Sequence, residues 1–189
     1  MNPITHLLTG WTLTLPCELQ RRDRTLVVVA SVAPDADSVG AIGDLLQGRP
    51  LDSYELYARY HHVLGHNILF AAGVTLACVL LAKRKLLVGV LAAVAVHLHF
   101  LEDVVGSRGP DGSQWEVPYL LPFSHAWQWS VPWQWALNAW PNVVFTIVLL
   151  VLALYVAWSR GVSPVGLVSA RADRALVRTL RERFGEPKS

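Results

Sequence analysis

Residues 96–106 read VHLHFLEDVVG, and in this stretch an apolar run ends in two histidines and two acids. In a helix, His99 and Asp103 are four residues apart, so both side chains lie on one face and can reach a single ion. Residues 86–96 contain no charged side chain, so the cluster is expected at the edge of a bilayer, where ionisable groups are costly unless paired or functional. The pattern predicts a membrane helix that ends in a metal site; a His–Asp pair that only supports structure is the alternative.

The composition of the whole chain is that of a membrane protein. Apolar residues make up 53% and charged residues 16% of the 189 residues, and the mean hydropathy is +0.37, whereas an average soluble domain has roughly 25% charged residues. The start of the chain lacks a basic segment and a cleavage site, so we expect no removable signal peptide, and His6 stays in the protein. Cys17 and Cys78 are far apart and indicate neither a CxxC metal site nor a disulfide framework.

Three apolar segments are expected to form long helices that cross the membrane, at residues 57–82, 86–105 and 141–158. Before them, residues 4–15 predict a short helix, and the apolar segment at 25–37 is too short to span a hydrocarbon core of roughly 30 Å. The predicted fold class is therefore all-α, a multispanning helical membrane protein with about three full spans and a short N-terminal helical hairpin.

Glycine, proline and acidic residues recur between the hairpin and the first long helix. Residues 40–57 are accordingly expected to be a solvent-facing loop that contains one short helix.

Basic residues at the ends of the helices predict the orientation. Lys83, Arg84 and Lys85 form a short turn, so the helices on either side are expected to be antiparallel neighbours, and the turn is expected in the cytoplasm. His66 and His99 then lie near the opposite surface. Residues 163–189 predict a basic amphipathic tail on the cytoplasmic leaflet, following a membrane-embedded domain at residues 1–162.

Tryptophan is concentrated in the segment between the last two long helices. Residues 106–140 contain four prolines and six of the eight tryptophans, so this segment is not expected to span the membrane. Tryptophan clustered at a membrane boundary is typical of an interfacial aromatic belt, here over the outer mouth of the site. An ordinary aromatic core is the alternative.

Eight histidines and aspartates, namely seven candidate metal ligands and His62, fall at segment ends that this topology places on the extracytoplasmic side. Imidazole and carboxylate without thiolate favour zinc, and less selectively manganese or iron, in a site of about one to three ions. His61 and His66 diverge on a helix, so both can bind one ion only if the chain breaks near Gly65. His97 lies about 200 degrees from His99 around a helix and is expected to be structural or to support a ligand. The candidate metal ligands are His6, Asp35, Asp37, His61, His66, His99 and Asp103.

Four motifs follow one another along the chain: His6 with Gly10, PDAD at residues 34–37, HHVLGHN at residues 61–67, and His99 with Asp103, followed by Gly106 and PFS at residues 122–124. In order and spacing they resemble the YdjM-like membrane-bound metal-dependent hydrolases, a family of bacterial inner-membrane proteins. In the third motif the family usually has arginine where this chain has His62, so His62 is expected to replace it. The resemblance implies Asp37 and His62 as catalytic residues.

The spacing of His99 and Asp103 is also remotely similar to that of zinc-dependent phospholipase C, an all-helical enzyme with clustered zinc. This similarity implies a phosphoester substrate. We therefore predict a membrane-bound metal-dependent hydrolase, which uses a metal-activated water to cleave a lipid or lipid-linked phosphoester. Its expected location is the bacterial cytoplasmic membrane, with the site facing the extracytoplasmic side. Membrane lipids and the substrate are the expected partners, nucleic acid is not, and the oligomeric state is left open.

Two other functions fit the same residues. An ion or proton transporter could use the cluster as a relay, but a relay should continue through the membrane. Residues 68–82 and 86–96 offer no ionisable group toward the cytoplasm apart from Cys78. A non-catalytic membrane protein that holds a structural metal is the second alternative.

Overall fold

The structure is a computed structural model that describes residues 1–49, 55–61, 63–109 and 112–187. In these residues the fold is helical, and β-structure is limited to two isolated bridges, so the predicted all-α class is confirmed. The α-helices are α1 (Pro3–Leu13), α2 (Arg21–Val32), α3 (Gly40–Leu46), α4 (Glu55–Tyr60), α5 (Ile68–Leu81), α6 (Lys85–Gly106), α7 (Trp140–Arg160) and α8 (Ala170–Phe184), and short 3-10 helices cover Ala33–Val39 and Pro164–Leu167.

Three helical segments of the described chain are long and apolar enough to cross a membrane, namely Arg21–Leu46, Lys85–Gly106 and Trp140–Arg160. The number of spans is as predicted, but the first span is not. The N-terminal helices α1 and α2 do pack against each other as a hairpin, but the predicted short segment at residues 25–37 is wrong, because α2 continues through the 3-10 helix into α3. Pro34 does not interrupt this segment, since it lies in the first turn of the 3-10 helix, where a missing N–H group costs little. Residues 40–57 were predicted as a loop with one short helix; they contain α3 and the start of α4, and residues 50–54 lie outside the described residues.

The predicted single helix over residues 57–82 is also wrong, because α4 ends at Tyr60 and α5, with 14 residues, begins at Ile68. Asn67 starts α5: its side-chain oxygen accepts a 2.9 Å hydrogen bond from the Phe70 backbone N–H group. Its amide nitrogen donates to two carbonyl groups of the preceding turn. The turn contains Gly65, so the chain breaks where the sequence required a break.

Helix α6 is central and packs on α1, α2 and α5. Its contact surface includes small side chains, which let neighbouring helix backbones approach closely, as in other membrane helix interfaces. As a result the last turns of α6 are enclosed by other helices. The fully buried apolar residues of α6 are Val88, Ala92, Ala95, Val96 and Phe100.

Asp23 of α2 fixes the basic turn between α5 and α6. Its two carboxylate oxygens accept hydrogen bonds from the backbone N–H groups of Lys83 and Arg84, each at 3.0 Å. The Arg84 guanidinium donates to the Glu18 carbonyl at 2.8 Å. The helices on either side of the turn pack against each other, as the short connection predicted.

The tryptophan-rich loop and the tail lie at the edge of this bundle. Trp129 stacks on Tyr119 with ring centroids 4.3 Å apart, whereas Trp127 and Trp133 are more than half exposed. The loop is thus partly a small aromatic core and partly an exposed aromatic surface. Helix α8 has no buried residue. Its position on the cytoplasmic leaflet stays a prediction, as does the domain boundary after residue 162.

Candidate metal centre

Four side chains from three segments meet beside the end of α6. The helix places His99 and Asp103 on one face, α1 contributes His6, and the 3-10 helix contributes Asp35. One ligand atom from each of the four residues can be chosen so that all lie within 4.8 Å of one another. Helical spacing within α6 therefore explains why His99 and Asp103 are together. The packing of α1 and of α2 with its 3-10 extension on α6 brings His6 and Asp35 to them.

The distances within the group are short. His99 Nε2 lies 3.0 Å from Asp103 Oδ2 and 3.7 Å from Asp35 Oδ1, and His6 Nε2 lies 3.4 Å from Asp103 Oδ1. The His6 and His99 rings stack with centroids 3.8 Å apart. The Met1 amino group also contacts Asp103 Oδ1. His6, His99 and Asp103 are almost completely buried, so the group is shielded from water.

His66 adjoins this group from the turn before α5. Its Nε2 atom lies 3.0 Å from His99 Nε2 and 3.1 Å from Asp103 Oδ2. Burial by itself would lower the pKa of His66, but the hydrogen bonds to Asp103 and Asp37 outweigh burial and raise this pKa to about 9. The surroundings of His66 therefore favour a positive charge, either a proton or a metal ion.

Each of the three imidazoles is held through its Nδ1 atom. The His6 Nδ1–H group donates to Glu102 Oε2 at 2.5 Å, and the His99 Nδ1–H group donates to the Ser31 carbonyl at 2.8 Å. The His66 Nδ1–H group donates to Asp37 Oδ2 at 3.0 Å. These partners select the tautomer that leaves the Nε2 lone pair available, and a carboxylate or carbonyl partner of this kind is typical of metal-binding histidines.

The arrangement fits a cation. Two Nε2 lone pairs at 3.0 Å, next to an Asp103 oxygen, repel each other unless a positive charge lies among them. His6 Nε2 and Asp35 Oδ2 are buried without a hydrogen-bond partner, which is costly for polar atoms. A divalent ion coordinated by His6, Asp35, His99 and Asp103, with His66 beside it, would satisfy these atoms.

Asp37 and His61 lie next to this group. Asp37 Oδ1 accepts from His61 Nδ1 at 2.8 Å, and Asp37 Oδ2 accepts from His66 Nδ1 and from the Gly65 backbone N–H group, both at 3.0 Å. Asp37 thus orients two predicted ligands and is not itself one of the four residues whose ligand atoms converge. The His61 ring stacks on Tyr57, with centroids 4.6 Å apart. His62, a predicted catalytic residue, lies outside the described residues.

The model of the YdjM inner membrane protein family matches residues 1–174, a range that includes every predicted ligand. The chain belongs to this family. The predicted resemblance to YdjM-like proteins is therefore confirmed, and together with the three apolar helices it indicates a membrane protein. No curated protein and no solved structure gives a significant match, and the similarity to phospholipase C stays a prediction.

In this YdjM-family chain, His97 faces away from the group, as the helical spacing predicted. Its Nδ1–H group donates to the Ala93 carbonyl at 2.7 Å, and its Nε2 atom lies 2.9 Å from the Tyr119 hydroxyl. Both ring nitrogens are therefore used in supporting the packing of α6.

Glu102 is a site residue that the sequence reasoning missed. One carboxylate oxygen accepts from His6 Nδ1 and the other accepts from the Thr9 hydroxyl at 2.5 Å, so Glu102 supports His6 and both of its oxygens already have a hydrogen-bond donor. Glu102 is three residues after His99, a spacing that places both on one side of a helix. Ser31 was not recognisable, because it acts through its backbone carbonyl.

We expect Glu102→Ala to weaken metal binding about 10- to 100-fold, the usual cost of removing a residue that orients a ligand. Titration of the metal-free protein with zinc against a chelator of known affinity measures this change. Glu102→Gln keeps a hydrogen-bond acceptor for His6, so this variant should lose less zinc affinity than Glu102→Ala. The exposed Glu182, which forms a surface pair with Arg178, provides the control variant Glu182→Ala.

A double-mutant cycle separates orientation of His6 from a general loss of charge. If Glu102 acts through His6, then Glu102→Ala should have almost no further effect on zinc affinity in a His6→Ala background. Fully additive losses would contradict the assigned role.

Proposed function

We propose that this protein is a membrane-bound metal-dependent hydrolase that cleaves a phosphoester of a lipid or lipid-linked substrate. The observation that carries the proposal is the convergence of His6, Asp35, His99 and Asp103, with His66 beside them, in a buried group. So many ionisable groups at one buried point are costly unless a function retains them. Such clusters in a cleft or membrane are candidates for catalytic sites.

Zinc is the proposed ion, because imidazole and carboxylate ligands without thiolate suit it. Such an ion, when bound, supplies Lewis-acid stabilisation of phosphoryl oxygens and makes water a better nucleophile. The proposed stoichiometry is one to three ions, of which the four-residue group accounts for one.

The chain itself supplies orientation and proton transfer. Ser31, Glu102 and Asp37 hold the rings of His99, His6 and His66 in fixed tautomers. Asp37 also holds His61 through Nδ1, so a proton exchanged by that ring enters or leaves at Nε2. We propose this His61 ring, supported by Asp37, as the group that transfers a proton to or from the substrate.

A lipid substrate is proposed because the group lies among helices that are apolar enough to span a membrane. Asp35 belongs to one candidate span, and His99 and Asp103 belong to another. A substrate reaching these residues therefore approaches through the apolar part or the boundary of the bilayer. A water-soluble phosphoester would have poorer access to residues in such a position.

The proposed location is the bacterial cytoplasmic membrane, with the metal group facing the extracytoplasmic side. This orientation rests on the basic turn between α5 and α6, which the positive-inside rule places in the cytoplasm. Lys85→Cys and Gln128→Cys, each in a chain with Cys17 and Cys78 replaced by serine, report it in intact cells. An impermeant reagent should label position 128 and spare position 85; the reverse pattern would invert the topology.

Hydrolysis is tested with purified protein in mixed micelles that contain phosphatidylglycerol, phosphatidic acid or a polyprenyl phosphate. We expect release of a phosphate-bearing product or of phosphate from at least one of these probes. The activity should be lost after treatment with a chelator and restored by zinc. If zinc-loaded protein cleaves none of the probes, but vesicles containing it show metal-dependent ion flux, the transporter replaces the hydrolase.

A further inference from the structure

A groove runs along one side of α5, starting at the turn that carries His66. It has a volume of about 650 Å³, and nearly all its walls are apolar. On α5 the wall residues recur at helical spacing, so they form one continuous face. The lining residues are Val63, Leu64, Asn67, Leu69, Phe70, Gly73, Val74, Ala77, Leu121 and Pro122.

A second pocket, of about 370 Å³, adjoins the groove; it combines polar and apolar side chains, with a far larger polar share than the groove, and is called the polar pocket. The two share Val63 and Leu121 as wall residues, so one ends where the other begins. The polar pocket is lined by His61, the ring that Asp37 connects to His66 of the metal group. Its other polar lining residues are Gln114, Glu116, His125 and Gln128.

We infer that the groove binds an acyl chain of the substrate, whose polar headgroup lies in the pocket beside His61. The inference rests on the proposed function and deepens it, because it makes the substrate a lipid with a long acyl chain and assigns the place where that chain binds. An amphipathic molecule is the ligand that matches an apolar groove joined to a polar pocket. Along α5 the groove runs from the turn that carries His66 toward the basic turn at residues 83–85, and in the proposed orientation this is the direction of a lipid chain.

The apolar walls follow α5 over a length along which a hydrocarbon chain can lie. From Leu69 to Ala77 the groove follows eight residue steps of α5, which is about 12 Å at the rise of an α-helix. A helix of a second copy of the chain is the alternative occupant, and the oligomeric mass distinguishes it from a lipid.

Gly73 offers a direct test, because a Cβ atom added there would have no other heavy atom within 4 Å. Gly73→Trp should therefore fill the groove without displacing its walls. Ala72→Trp is the matched control, since Ala72 is exposed on the same helix and does not line the groove. Each methylene group that loses its apolar site costs roughly fourfold in affinity, so excluding several should cost tenfold or more.

Two measurements use dioleoyl and dihexanoyl phosphatidylglycerol as probes. Native mass spectrometry measures the fraction of protein that retains dioleoyl lipid in detergent, and kcat/KM is measured for both lipids. Gly73→Trp should lower lipid retention and kcat/KM for the dioleoyl lipid about tenfold or more, whereas kcat/KM for the dihexanoyl lipid should fall less, because its shorter chains occupy less of the groove. Ala72→Trp should change none of these values.

The outcomes test acyl-chain binding in the groove separately from the proposed hydrolase activity. Retention of dioleoyl lipid that Gly73→Trp abolishes, in a protein that cleaves neither probe, would support the groove and reject the proposed function. Hydrolysis of both lipids with equal kcat/KM, together with retention that Gly73→Trp leaves unchanged, would overturn the groove and leave the hydrolase standing. A change in oligomeric mass on Gly73→Trp without a change in lipid retention would also overturn it, because the groove would then hold a second copy of the chain.

Discussion

Replacing His99 with alanine is expected to remove the bound metal and abolish hydrolysis. The His99 ring contacts three other members of the site, with Nε2 at 3.0 Å from both His66 Nε2 and Asp103 Oδ2 and the ring stacked on His6. Loss of a metal ligand should lower zinc affinity by more than the roughly 10- to 100-fold that loss of a supporting residue costs. Zinc content and lipid phosphoester hydrolysis are measured on the same preparation.

His97→Ala is the matched control, because it removes the same side chain two residues earlier on the same helix. The His97 nitrogens contact Ala93 and Tyr119, so this variant should keep its zinc and most of its activity. Asp103→Asn, which hardly changes the volume, covers the case in which His99→Ala does not fold. A folded Asp103→Asn protein with full zinc content and unchanged activity would contradict the assignment of the site.

Gly65→Ala is expected to disrupt the site although Gly65 has no side chain that could bind metal. A Cβ atom at this position would overlap the backbone carbonyl group of Pro34, which no side-chain rotation can relieve. The same residue donates its backbone N–H group to Asp37, the carboxylate that orients His66. Overpacking of this kind costs about 1–3 kcal/mol or more, and here it should also displace Asp37.

Thermal unfolding in detergent and zinc titration measure these two effects. Gly65→Ala should lower both the unfolding temperature and the zinc affinity. Gly73→Ala is the matched glycine control, because a Cβ atom there meets open space and alanine favours a helix by roughly 0.5–1 kcal/mol over glycine. Equal behaviour of the two variants would show that the close approach of Gly65 to Pro34 does not hold the site together.

Spacing within one helix was readable from the sequence. The position of His99 and Asp103 on one face, and of His97 on another, follows from helical geometry alone. The break near Gly65 was also recognisable, because His61 and His66 could converge only if the helix was interrupted. Asn67, a good helix N-cap residue two positions after that glycine, was a second sign of a helix start that the prediction of one long helix overlooked.

Contacts between segments could not be predicted from the sequence by such spacing rules. The segment at residues 25–37, which contains Pro34, was predicted to be too short to span the membrane, but proline is tolerated at the start of a helical turn, and the segment continues into α3. Glu102 is adjacent to Asp103 in sequence, and spacing alone does not tell whether a carboxylate binds metal or supports a histidine. Its role became visible only when α1 brought His6 and Thr9 to it.

The most direct test of the account is the metal content of the protein, purified without chelator and measured by elemental analysis. A site with several buried imidazole and carboxylate ligands should bind zinc tightly, so we expect at least about one ion per chain in the native protein. The His99→Ala protein, purified in parallel, should contain almost none. A native protein that holds less than about a tenth of an ion per chain, and takes up none when zinc is added, would contradict the assignment of a metal centre.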